Sequence, residues 1–106
     1  MTDEVFNRLT RRMDIGKAIV TIRKARGMTQ KELAKRCGMS QNAIVMIERN
    51  YSHPPMATLN KLQEALDIPQ SMIYLCSIED CDFPEDKRIL YKLQLVPMRD
   101  CLLSKD

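Results

Sequence analysis

The chain has 106 residues, 44% of them hydrophobic and 29% charged, which suits one folded domain and argues against a disordered chain, a membrane protein or a separate catalytic domain. Its net charge of +3 is unevenly distributed, because residues 1–14 are neutral, residues 15–55 carry +6 and residues 56–106 carry −3. A phosphate backbone is the natural partner of the basic central segment, and a solvated helix face is the alternative.

The apolar spacing predicts two helices before Gly27. The first runs from Asp3 to Met13, and its apolar face carries Val5, Phe6, Leu9 and Met13. Asp14 is a suitable N-cap for the second helix, which ends near Gly27. The inward positions of this second helix are Ile15, Ala18, Ile19 and Ile22.

Two further predicted helices are separated by a short turn. Thr29 caps the first, Glu32 completes a capping box at the third helical position, and Gly38 ends the helix. Ser40 caps the second. The positions expected to be buried are Leu33, Ala34, Cys37, Ile44 and Ile47.

A loop of turn-forming residues, 50–55, precedes another pair of predicted helices. The first of the pair closes at Asp67 and Ile68, and Pro69 fits the first turn of the second. The inward residues are Leu59, Leu62, Ala65 and Leu66 in the first helix and Met72, Ile73 and Leu75 in the second.

One last helix is expected after an acidic linker at residues 79–82. Pro84 opens this helix and Pro97 ends it. Its apolar stripe consists of Ile89, Leu90, Leu93 and Val96. No segment shows sustained alternation of period two, so we predict an all-α fold.

The turn that contains Gly38 joins two short helices at the spacing of a helix-turn-helix. In that motif the second helix lies in the DNA major groove. Gln41 and Asn42 carry amides that can form bidentate bonds to adenine, and Val45 and Met46 can contact a thymine methyl group. Taken alone, the two amides are more simply explained as solvated polar residues.

Residues 23–75 resemble the Xre/Cro/cI-type helix-turn-helix family of phage and bacterial repressors. The stretches RGMTQKELAKRCGMSQNAIVMIERN and PPMATLNKLQEALDIPQSMIYL carry the resemblance. It covers residues 15–78 and implies a five-helix, lambda-repressor-like DNA-binding domain. Residues 1–14 and 79–106 would then form an N-terminal and a C-terminal helical extension.

The resemblance also implies roles for individual residues. Those that would read bases are Gln41, Asn42, Val45 and Met46. Those that would contact the DNA backbone are Gln30, Ser40, Arg49, Asn50, Tyr51 and His53. Arg23 and Glu48 would form an internal, structural ion pair. Where the family usually has a glycine after its Ile-Glu pair, this chain has Arg49 and Asn50, and Asn50 can adopt the left-handed turn.

The four cysteines could form two disulfides or a metal site. Because no secretory signal is visible, reduced thiols are expected. Cys76 and Cys81 have a spacing that zinc ligands use, but no second pair follows and His53 is the only histidine. We therefore expect buried or incidental thiols, with no metal and no cofactor.

These observations predict a sequence-specific regulator of transcription that binds double-stranded DNA, and we expect a cytoplasmic repressor without a membrane partner. So small a domain makes few base contacts, which favours a homodimer on two half-sites about 34 Å apart. The terminal apolar stripes, the C-terminal one above all, are expected to hold that dimer. The alternative is an antitoxin, whose terminal segment neutralises a partner protein. No set of nucleophile, base and orienting group indicates an enzyme.

Overall fold

A computed structural model describes residues 2–104, and every regular element among them is helical, so the predicted all-α class is confirmed. Met1 and the last two residues of the predicted C-terminal extension lie outside the described residues. The first six helices are α1 (Asp3–Thr10), α2 (Ile15–Ala25), α3 (Gln30–Cys37), α4 (Gln41–Glu48), α5 (Met56–Leu66) and α6 (Gln70–Cys76). They are followed by 3-10 turns at Asp80–Asp82 and Glu85–Lys87, then α7 (Arg88–Leu90), a π-helical turn (Tyr91–Leu95) and α8 (Val96–Leu103).

Side-chain caps start the central helices where the sequence predicts them, because each cap satisfies a backbone N–H that the helix leaves unpaired. The distances are 2.9 Å from Asp14 Oδ1 to Lys17 N, 3.0 Å from Thr29 Oγ1 to Glu32 N and 3.1 Å from Ser40 Oγ to Ala43 N. Gly38 adopts φ 65° between α3 and α4, a conformation in which a Cβ is strained. The predicted stop of the first motif helix is confirmed.

One hydrophobic core joins α2 to α6. α2 packs against α4 and α6, and α3 packs against α4 and α5. The large side chains that are fully buried are Ile15, Ile19, Ile22, Leu33, Ile44, Leu62, Leu66 and Ile73. This core fixes α4 by its inner face and leaves the opposite face to solvent.

The predicted first helix is wrong at its C-terminal end. α1 stops at Thr10, and Arg11 continues with φ −56° and ψ 131°. The guanidinium of Arg11 reaches across to Asp82 and forms a bidentate pair with it. That contact turns the chain before Met13, so Met13 lies outside α1.

The predicted end of the last helix at Pro97 is also wrong. Helical backbone dihedrals continue from Leu90 through Val96, and α8 runs on to Leu103 with Pro97 in its first turn. Proline clashes with the carbonyl four residues earlier in a regular α-helix. Here the wider π-helical turn directly before it shifts that register, which relieves the clash. Residues 88–103 thus form one continuous C-terminal helix.

Candidate nucleic-acid interface

The outer face of α4 carries the four residues predicted to read bases. Gln41 and Asn42 are exposed in its first turn, Val45 is half-buried and Met46 is 36% exposed. Neither amide side chain hydrogen-bonds with another residue in the described range 2–104. Both amides therefore remain available to donate to and accept from an external partner such as a base edge.

The inner face of α4 is fixed by the core and by a buried ion pair. Ile44 and Ile47 are buried under α2 and α3. Arg23 Nε lies 2.7 Å from Glu48 Oε2, and the two side chains are only 10% and 4% exposed. Arg23 also donates to Met28 O at 2.9 Å, so the guanidinium holds the end of α4 and the turn before α3 together.

Gln30 belongs to the same network, at the start of α3. Its Nε2 donates to Glu48 Oε1 at 2.9 Å, while Arg23 Nη2 lies 3.2 Å from that oxygen. An amide nitrogen has two hydrogens, so one remains for an external acceptor, such as the phosphate predicted for Gln30. The polar residues behind the outer face of α4 are thus hydrogen-bonded to one another.

The loop after α4 folds back on that helix. The backbone N–H groups of Tyr51 and Ser52 donate to Met46 O at 2.9 and 3.2 Å. Arg49 and His53 are exposed, and Tyr51 is 70% exposed, so these three predicted backbone contacts face solvent. Ser40, the last of the predicted contacts outside this loop, is exposed at the cap of α4.

Asn50 differs from its neighbours because its side chain is taken up by the fold. It adopts φ 60°, the left-handed conformation that the sequence predicts for it. Its Oδ1 accepts the Gly16 N–H at 3.0 Å, and its Nδ2 donates to Asp14 Oδ1 at 2.7 Å. Asn50 therefore joins the end of α4 to the start of α2.

Sequence reasoning missed the contribution of residues 11–14 to this surface. A cleft lies between them and the loop, and Arg12 lines it together with Asn50, Ser52 and His53. The neighbouring arginines Arg11 and Arg12 were the available signal. Their formal charge is balanced by acidic residues within the same segment, which concealed it.

The cysteines and the acidic residues supply no metal centre in the described part of the chain. No group of three or more His, Cys, Asp or Glu side chains among residues 2–104 could hold a metal ion. All four cysteines are free thiols, and burial raises the pKa of Cys37 and Cys76. None of the described helices combines the length and apolar character needed to cross a membrane.

Comparison with known proteins places this geometry in a family. The helix-turn-helix family model matches residues 19–69. The immunity repressor protein of Bacillus phage phi105 is 38% identical over 61 residues, which cover 58% of this chain and 42% of the repressor. An uncharacterized helix-turn-helix-type transcriptional regulator of Sinorhizobium fredii is 33% identical over 54 residues, covering 51% of this chain and 70% of the regulator.

A solved structure extends the likeness to the fold. A point mutant of the restriction-modification controller protein C.Esp1396I superposes with a TM-score of 0.55 and 23% sequence identity, covering 77% of this chain and 92% of that chain. At that identity the match supports the helical architecture alone. The chain spans less than half the length of the phage repressor, so the two proteins share one domain.

Proposed function

The chain belongs to the Xre-type helix-turn-helix family of transcriptional regulators, and we propose that it is a sequence-specific double-stranded DNA-binding repressor that acts as a homodimer. The observation that carries the proposal is the outer face of α4. There, two unpaired amides and two apolar side chains project from a helix whose inner face is locked by the Arg23–Glu48 pair.

In the proposed complex α4 enters the major groove. Gln41 and Asn42 read base edges, and Val45 and Met46 pack against thymine methyl groups. The DNA backbone is contacted by Arg49, Tyr51 and His53 of the adjoining loop and by Gln30 and Ser40 at the starts of α3 and α4. Asn50 holds the loop in place. Backbone contacts set the register of α4, and base contacts supply the specificity.

Repression is proposed because one curated relative is a phage immunity repressor. A protein bound across the major groove prevents another protein from occupying the same site. The homodimer would place two copies of α4 on half-sites about 34 Å apart.

The homodimer rests on the exposed apolar surface of the C-terminal helix. The residues on it are Ile89, Leu90, Leu93, Met98 and Leu102, each at least 45% exposed. Exposed apolar residues grouped along one helix are typical of a surface that another protein covers. A symmetric dimer covers the same patch on both copies at once.

Base reading is tested by selecting bound duplexes from a random pool and measuring affinity for the selected and for unrelated sequences. Gln41→Ala and Asn42→Ala should each weaken binding to the selected duplex by about 1–3 kcal/mol and leave unrelated DNA unaffected. Asn60→Ala removes an exposed amide from α5 and serves as the matched control. Equal losses on both kinds of DNA would refute base reading by α4.

The dimer is tested with point variants, because truncation after residue 78 would also remove Leu103 from the core and the Tyr91 hydroxyl from Ile78 O. Leu93→Glu, at a position 66% exposed, should convert a dimer into a monomer in light scattering. Leu9→Glu, 65% exposed on α1, is the matched control. A dimer that survives Leu93→Glu but not Leu9→Glu would move the interface to α1.

The second candidate function is an antitoxin-type module, and a separate observation favours it. α1 presents its own exposed apolar residues, Phe6 and Leu9, which the C-terminal helix does not cover. A full-length chain that is monomeric alone and forms a stoichiometric complex with a protein encoded next to it would support this candidate over the homodimer.

A further inference from the structure

A cleft of about 220 Å³ opens where the N-terminal extension meets the loop that follows α4. Residues 11–14 form one wall, and Asn50, Ser52 and His53 form the other. We call it the extension cleft. Residues 11–14 lie outside the segment that the helix-turn-helix family model matches, whereas the loop residues lie inside it.

The extension cleft is fixed relative to α4. The loop wall is tied to α4 by the hydrogen bonds from Tyr51 and Ser52 to Met46 O, at 2.9 and 3.2 Å. The extension wall is tied to the loop by Asn50, whose Nδ2 donates to Asp14 Oδ1 at 2.7 Å. A ligand held in the cleft therefore has a defined position relative to the base-reading face.

The cleft holds a cationic side chain that the fold leaves unpaired. Arg12 is exposed, and its side chain has neither an ion-pair nor a hydrogen-bond partner among residues 2–104. The Ser52 hydroxyl and the His53 ring are likewise unpaired within that range, and each can donate a hydrogen bond. A guanidinium with two further hydrogen-bond donors is suited to the oxygens of a phosphate group.

The Asp14 carboxylate also lines the cleft, but hydrogen bonds within the fold fix its position. Asp14 Oδ1 accepts from Lys17 N at 2.9 Å as well as from Asn50. The same carboxylate stands at the N-terminus of α2, where the helix dipole attracts negative charge. Asp14 is therefore directed into the fold, and Arg12 is left to face outward.

Arg11 holds the backbone that carries Arg12. Its guanidinium makes a bidentate pair with Asp82, with Nη2 at 2.6 Å from Oδ2. From the same group, Nη1 donates to Arg12 O at 3.2 Å and Nη2 donates to Ser77 O at 3.3 Å. Asp82, in the acidic turn, thus neutralises Arg11 and holds its guanidinium where it supports the backbone of Arg12.

We propose that Arg12, with Ser52 and His53, clamps one phosphate of the DNA backbone beside the groove that α4 enters, and that the Arg11–Asp82 pair positions Arg12 for this contact. The proposal rests on the proposed DNA binding and adds a residue from outside the family domain. A backbone phosphate fits better than a free anion, because the cleft is open and adjoins the loop that is proposed to contact the DNA backbone.

The clamp is tested by comparing Arg12→Gln with Arg8→Gln in the full-length chain. Both remove one arginine from the same extension, but Arg8 does not line the cleft. Arg12→Gln should weaken binding about tenfold, equally on selected and unrelated duplexes, and flatten the slope of log K against log salt by about 0.9. Arg8→Gln should change both quantities far less.

Individual phosphates of the selected duplex are then replaced by methylphosphonate. One position in each half-site should weaken wild-type binding and have no effect on the Arg12→Gln variant. The absence of any such position, or equal effects of the Arg12 and Arg8 substitutions, overturns the clamp. Neither result affects the proposed DNA binding, which fails if the wild-type chain binds no duplex or binds all duplexes equally.

The positioning role of Arg11 is tested with Asp82→Asn, which makes the chain more positive by one charge. If only charge matters, the variant should bind DNA more tightly. If the Arg11–Asp82 pair positions Arg12, the variant should bind more weakly, and its loss of affinity should not add to that of Arg12→Gln in the double variant. Tighter binding overturns the positioning role.

Titration with inorganic phosphate, followed by the NMR shifts of His53, separates the two sources of the anion. Tight binding that duplex DNA does not displace would overturn the assignment to DNA.

Discussion

The central helices and the terminal extensions are held in place by different forces. From α2 to α6, eight large side chains are fully buried around one core, and a buried ion pair locks α4. α1 has no buried residue, and the C-terminal helix buries only Leu103 among the described residues. Polar contacts such as Arg11–Asp82 attach the extensions, and most of the large apolar side chains there, such as Leu9 and Leu93, stay exposed to water.

This difference separates stability from assembly. Burial of apolar area stabilises the central helices without help, so the surface of α4 is rigid before any ligand arrives. The extensions gain little from their own apolar residues until a partner covers them. Substitutions in the two regions should therefore be read out by different measurements.

The largest expected effect is on the buried ion pair. Glu48→Ala leaves the Arg23 guanidinium uncompensated and should lower the free energy of unfolding by about 3–5 kcal/mol. Asp80→Ala, in the extension, removes a pair in which Lys92 Nζ lies 4.0 Å from Asp80 Oδ2 and the side chains are 63% and 47% exposed. It should cost less than about 0.5 kcal/mol. Denaturant melts compare the two. Equal losses would show that the two regions are not held differently.

A second comparison concerns the packing of α2 on α4. A Cβ at Gly16 would lie 2.5 Å from Glu48 O and 2.6 Å from Ile47 O. Gly16→Ala must therefore move the start of α2 away from these two carbonyls at the end of α4. We expect a loss of about 1–3 kcal/mol in the same melts. Gly38→Ala is the control, since nothing lies near its Cβ position and only the left-handed φ opposes it, at about 1 kcal/mol. A Gly16 variant more stable than the Gly38 variant would contradict the close approach.

A smaller effect is expected where the C-terminal helix is anchored. Tyr91 Oη donates to Ile78 O at 2.8 Å, and Tyr91→Phe should cost about 0.5–1.5 kcal/mol. Hydrogen exchange should show this as faster local opening of α8, with α2 to α6 unchanged. Tyr51→Phe alters an exposed hydroxyl and should leave exchange as it was. Equal protection of α8 in both variants would rule out this anchor.

The smallest effect is the response of the extensions to acid. The hydrogen bond from Arg11 holds the pKa of Asp82 below its ordinary value of 3.8, with burial opposing. Because the folded-state pKa is lowered, the contact stabilises the fold above pH 3.8, and this contribution is lost as the pH falls through the folded pKa. At this partial exposure it amounts to about 1 kcal/mol or less.

NMR signals of α1 followed from pH 5 to pH 2 measure this loss. Burial raises the pKa of Asp14, but hydrogen bonds from Asn50 and Lys17 and the charges of Lys17 and Arg11 outweigh it, so the pKa of Asp14 is also lowered and its protonation should act on α2. Asp82→Asn should remove the transition that α1 reports. If the α1 signals of that variant show the same transition, a group other than Asp82 causes it.

The sequence by itself determined the central helices, because their signals are local. Thr29, Ser40 and Gly38 act on backbone groups within a few residues, and apolar periodicity states which face is buried. The left-handed turn at Asn50 was readable for the same reason. The placement of Gln41 and Asn42 on an exposed first turn followed from the cap at Ser40.

Only the tertiary structure decided the ends of the chain and the rest of the interface. α1 stops at Thr10 because Arg11 pairs with a residue 71 positions away, and no local pattern contains that information. The C-terminal helix passes Pro97 because the π-helical turn before it changes the register, while Leu103 reaches the core. The extension cleft arises in the same way, since Asn50 brings residues 11–14 to the loop after α4. Contacts between distant segments depend on how the helices pack, and the spacing of residues along one helix does not encode them.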